Sequence, residues 1–153
     1  MTSLEHPIDQ SDVEHEDGPY RNVPLKRFLA WCLDVFLISL ATAAIVAFTL
    51  LTALLFLPAV YACISFLYRW ATLTSSSATP GMILVGIEIR GLDGSMLDGT
   101  TALLHTAGYF ASVLTFPLQL ISIGMMLLSA RRQGLTDVVL RTVAVNRRKP
   151  GPA

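Results

Sequence analysis

Charge is nearly missing from the stretch between Phe28 and Tyr68, where Asp34 is the one formally charged side chain. Over the whole chain only 14% of residues are charged, against roughly 25% in soluble domains, so an ordinary water-soluble globule is a poor description. Lys and Arg are absent from the first seventeen residues, which hold Glu5, Asp9, Asp12, Glu14, Glu16 and Asp17. With that start no cleavable secretory signal is expected, since one needs a basic beginning followed at once by an apolar core. Cysteine is scarce. Cys32 and Cys63 both lie in the apolar run, where a thiol behaves as a small hydrophobe, and no disulfide is expected. A Gly-x-Ser-x-Gly elbow, a His-Glu-x-x-His pair and a second carboxylate in the apolar runs are all lacking. The chain is therefore not expected to be an enzyme, and no cofactor, catalytic residue, metal site or nucleic-acid partner is expected.

What is present is apolar. The 153 residues are 53% hydrophobic with a mean hydropathy of +0.58. A lipid-spanning helix needs about 20 apolar residues, so the run from Phe28 to Tyr68 suffices for two crossings joined by a tight turn. Residues 1–19 read as a disordered acidic tail, in which His6 and His15 have no fixed geometry and take no role. Arg21, Lys26 and Arg27 then form a basic anchor before the first segment, with Pro24 limiting upstream helix. Membrane segments are expected over about 25–48 and 53–70, with a turn near Thr49 to Thr52. Pro58 kinks or begins the second, and Arg69 closes it on the basic side. The positive-inside tendency then puts both ends of the hairpin, and the N-terminus, in the cytoplasm.

A carboxylate inside a hydrophobic helix costs roughly 2.5 to 3.5 kcal/mol on insertion scales, so Asp34 needs a partner or a task. Arg27 lies seven residues earlier, about 20° away around the helix and about 10 Å along it, too far for a direct bond. Arg27 through water, or an Arg further along the chain, is the expected partner. Residues 72–80, rich in Ser and Thr, read as a loop. Alternation through Ile83, Val85, Ile87 and Ile89 reads as a strand over about 83–90, with an alternative as unpaired interfacial loop. A second strand over 141–146 is the mate, and both must then lie on one side. Asp98 or Thr100 caps the next apolar stretch, residues 101–129, which holds His105 and is interrupted by Pro117. Two paths stay open for it: one tilted crossing, or two half-length helices bent at Pro117 that return to the same side. The return is favoured because it keeps the Arg-rich end inside. It also predicts Asp137 within reach of Arg27. Residues 147–153 form a basic tail suited to an anionic inner leaflet.

The later motifs carry a resemblance. Arg132-Gln133 ahead of Asp137, the Thr79-Pro80-Gly81-Met82 turn, and Asp93-Gly94 resemble the RDD family of small bacterial membrane proteins. Its defining Arg, Asp and Asp are matched by Arg27, Asp34 and Asp137, and the likeness spans about residues 25 to 146. Arg141 stands where the family usually has a Gly before the Thr of the last strand. The resemblance implies an all-α membrane protein: a transmembrane helical hairpin, a third apolar segment bent at a proline, and a small cytoplasmic two-stranded β element, within a membrane domain over 20–146. Two functions fit. One is a component of ion or small-solute transport at the bacterial plasma membrane, with Asp34 as the ion or proton site. The other is a membrane scaffold in which Arg27, Asp34, Arg132, Gln133 and Asp137 are a structural polar cluster. His105 is a secondary candidate, more in keeping with a packing role. The expected partners are the bilayer and either further copies of the chain or another membrane protein.

Overall fold

The computed structural model describes residues 20–49, 54 and 56–147. The acidic tail, the tip of the hairpin and the basic tail beyond Arg147 lie outside the described residues. Eight elements follow in order: α1 (Val23–Phe48), α2 (Leu57–Ser76), α3 (Pro80–Val85), β1 (Ile87–Gly91), α4 (Gly99–Leu114), α5 (Phe116–Leu128), α6 (Leu135–Leu140) and β2 (Thr142–Asn146). α1 is by itself long and apolar enough to cross a membrane, and α4 with α5 pass the same test only as a bent pair.

Proline sets the starts. Pro24 and Pro58 sit in the first turns of α1 and α2, where the missing N–H has no intrahelical partner to lose. The expected second segment, 53–70, is corrected to Leu57–Ser76, because the helix runs through the Ser/Thr-rich residues read as a loop. Thr72, Thr74 and Ser75 donate their hydroxyls to carbonyls of the preceding turn, at Tyr68, Trp70 and Thr72. Those back-bonds satisfy the polar groups without leaving the helix. Ser77, at φ 51°, ends it.

The strand read over 83–90 is also corrected. Thr79 caps a short helix by accepting from Met82 N–H, Pro80 opens it, and Gly86 at φ 74° closes it. Only then does β1 begin. Cap chemistry thus outweighs the period of two across Ile83 to Val85. β1 and β2 pair antiparallel from Ile87↔Asn146 to Gly91↔Thr142, so the chain holds a small two-stranded sheet as expected. Two strands alone are marginal. Here Ile87 and Ile89 are fully buried with Ala30, Leu73, Met82 and Ala102, while Val143 and Val145 pack on the opposite face with Tyr20.

Asp98 caps α4 through Thr101 N–H at 2.8 Å. Thr115 alone separates α4 from α5, and the chain turns by 115° there. Pro117 in the first turn of α5 has no N–H to continue the ladder of α4. α5 buries none of its side chains, and Leu120, Ile121 and Leu128 are exposed. The buried core accordingly sits at one end of the molecule. The start of α1 meets the sheet there, with Lys26 Nζ donating to Asn146 Oδ1 at 2.6 Å.

Candidate functional site

Among the described residues three carboxylates are buried: Glu88 of β1, which pairs with Arg90 and Arg147 at the sheet, and Asp34 and Asp137, each about 1% exposed, to which the structure gives different company. Asp137 lies in the first turn of α6, and its Oδ2 accepts the N–H of Gly134 at 3.0 Å, closing the helix start on itself. The same oxygen takes an ion pair from Arg27 of α1. Oδ1 meets His105 Nε2 of α4 at 2.9 Å and accepts Thr142 Oγ1 of β2 at 3.3 Å. Four elements are thereby tied to one side chain. Burial by itself would raise this carboxyl, but the Arg27 charge, with the His105 contact, holds it well below the usual carboxylate range. An ionised Asp137 can only accept, so His105 Nε2 carries the proton it shares.

Asp34 is held without a cation. Its Oδ1 accepts from Tyr68 Oη at 2.8 Å and from Gly81 N–H at 2.9 Å, and Oδ2 accepts from Thr79 Oγ1. Among the described residues no ion pair reaches it. The expectation of Arg27 or a later Arg as partner is therefore corrected: neutral dipoles from α2 and the α3 turn take the place of a basic group. Gly81 makes this possible, because a Cβ there would collide with Ala30 O and the Asp34 carboxylate. Thr79 is buried between the two, donating to Asp34 while capping α3.

The remaining sequence candidates divide. Gln133 is buried and donates Nε2 to Thr142 O at 2.6 Å, one bond removed from Asp137. Arg132 turns away at φ 52° and donates to Leu127 O near the end of α5, so it does not join the cluster. His105, the secondary candidate, does join it. Three residues were missed. Arg69 reads in the sequence only as the basic end of the second segment, and nothing there marks Tyr68 or Tyr109 as a site residue. The one signal is the place of Arg69, between two aromatics, Tyr68 and Trp70, in an apolar helix.

Both clusters border a single cleft of about 1300 Å³ between α1, α2, α4 and α5, closed below by α6. Arg27, Asp34, Arg69, His105 and Asp137 line it. Trp31 Nε1 donates to Tyr109 Oη at 2.9 Å across one wall, and Ser112, Gln119 and Ser122 add neutral polar groups. The Arg69 guanidinium lies 4.1 Å from the Tyr109 ring centre. Among the described residues no group of three metal-ligating side chains converges.

A membrane-grade helix, a largely unburied bent pair and polar groups gathered at one end are the features of a small helical membrane protein. The chain belongs to the RDD family, whose profile matches residues 22–141. No curated protein and no solved structure matches it.

Proposed function

We propose that the chain is a multi-pass protein of the bacterial plasma membrane that serves as a component of small-solute transport, with the cleft between α1, α2, α4 and α5 as the solute's place. The carrying observation is the cleft itself: about 1300 Å³ of space bordered by buried ionisable groups inside otherwise apolar helices. The proposal assigns binding and passage to the chain, not catalysis. In this reading α1 and α2 cross, and α4 with α5 dips into the bilayer and returns. α4 has 16 residues and α5 has 13, each short of the roughly 20 needed to cross. Both flanks of the pair lead into the sheet, through β1 before α4 and β2 after α6, which supports a return to the cytoplasmic side. A chain of this size requires copies of itself or a partner membrane protein to complete a path.

A second reading is favoured by one observation. Asp34 and Asp137 are saturated by protein donors, as parts of a structural lock would be, which suits a scaffold. Solute flux into liposomes carrying the purified chain separates the two. Flux of small anions or cations above protein-free liposomes supports transport. Absence of flux across such a panel, with the protein folded, assigns the chain to the scaffold reading.

A further inference from the structure

Arg69 is the buried cation whose surroundings are incomplete. It sits in α2 at 7% exposure, and its Nε has no hydrogen-bond partner among the described residues. No carboxylate pairs with it there. Asp34, the nearest candidate by sequence, spends its oxygens on Tyr68, Thr79 and Gly81, while Asp137 spends its own on Arg27, His105, Thr142 and Gly134. What Arg69 has is the face of Tyr109, 4.1 Å from its central carbon. An aromatic face compensates a desolvated cation only in part, and a buried ion without a counter-charge remains costly. The guanidinium lines the cleft, so a ligand in that space can supply what the protein does not.

We propose that Arg69 is an oxyanion-binding residue, taking the carboxylate or phosphate of a ligand in the cleft, with the Tyr109 ring holding the guanidinium plane. The chemistry selects the class. A planar guanidinium presents paired N–H donors that match a carboxylate or phosphate edge, and a cation would meet Arg69 as a like charge. Asp34 offers no cation site, because Tyr68, Thr79 and Gly81 already direct three donors at it. Ser112 of α4 and Gln119 of α5 also line the cleft and suit a polar body attached to the anionic group. A soluble solute and a lipid headgroup reaching in from the bilayer present the same oxyanion edge to Arg69, and the test separates them. This inference rests on the cleft being a ligand site, and it is independent of whether ligand is then moved.

The test uses the full chain in phosphatidylcholine nanodiscs and reads the phenylglyoxal labelling rate of Arg69 by peptide mass spectrometry. One arm adds inorganic phosphate, another acetate, and a third replaces part of the lipid with phosphatidylglycerol. Slowed labelling by phosphate or acetate identifies a soluble oxyanion. Slowing by phosphatidylglycerol alone identifies a headgroup. Unchanged labelling in all three arms overturns the proposal. In a parallel binding titration with the effective probe, Arg69→Gln weakens the apparent affinity at least about tenfold and Arg69→Lys less, since charge is kept and the fork lost. Equal affinity for wild type and Arg69→Gln also overturns it. Should Arg69→Gln not fold, the labelling of the wild type still decides. Protection without flux leaves this inference standing and removes the transport reading; flux without protection does the reverse.

Discussion

Asp34 shows how a carboxyl can sit in an apolar helix with no ion pair among the described residues. Three neutral donors, each worth about 1.5 to 3 kcal/mol to an ionised acceptor, offset its desolvation. Asp34→Asn turns an amide NH₂ toward at least one of those donors, so thermal unfolding in detergent should reveal a loss of about 2 kcal/mol or more. Unchanged stability in both Asp34→Asn and Asp34→Leu would show the network to be idle. Asp137 carries a pH signature instead. Its carboxyl is depressed in the folded protein, so the stability it contributes is present above the unfolded carboxylate value, about 3.9, and is lost as pH falls from there toward the folded value. Unfolding midpoints of wild type and Asp137→Asn should therefore differ most near neutrality and converge below about pH 4. Arg141 holds φ 54° at the end of α6 with its side chain exposed. Left-handed backbone costs a non-glycine residue roughly 1 kcal/mol, so Arg141→Gly should raise the unfolding midpoint.

At the scale of elements, packing of α3 on α1 is set by the absence of a side chain at Gly81. Gly81→Ala drives a methyl into Ala30 O and the Asp34 carboxylate, and helix separation should lower stability by about 1 to 3 kcal/mol in the same assay. Much of this architecture is legible in the sequence: the apolar run of α1, the Asp98 cap, the paired strands and the break ahead of Pro117 all follow from residue chemistry. The misreadings have local causes too. Serine and threonine can back-bond inside a helix as readily as they can leave it, so residues 72–76 gave no stop signal. Thr79-Pro80 opens a further short helix, which the alternation from Ile83 onward conceals. The partners of Asp34 were not legible, since a short helix folding back onto α1 brings Thr79 and Gly81 across 45 and 47 positions. A charge in sequence suggests another charge, while the fold supplied dipoles. Arg27 with Asp137 was legible because the strands fix which ends meet.

For the molecule as a whole, the buried hydrophobic clusters gather around the sheet and the start of α1, while residues such as Phe48 at the end of α1 and Leu114 at the end of α4 are bare. Lipid is the medium in which such a surface is satisfied. Single cysteines at Ser95 and Arg141, placed in a chain lacking Cys32 and Cys63, should both be shielded from an impermeant reagent outside intact cells. A cysteine at Thr49 should react. Labelling of position 141 with position 95 protected would mean that the α4–α5 pair crosses, contrary to the proposed return.

The ion pair between Arg27 and Asp137 also has a history in time. It spans 110 positions, and Lys26 with Asn146 spans 120. At about 5 to 20 residues per second, α1 waits roughly 6 to 22 s on the ribosome before its acid exists. Through that interval Arg27 and Lys26 stand without these partners at the start of the first helix, where the proposed topology makes them orienting charges. Once α6 and β2 are made, the same two cations become fasteners. In the proposed topology the charges that orient the first helix are thus used again to close the finished protein, and a chain interrupted before Gly134 would lack both fasteners.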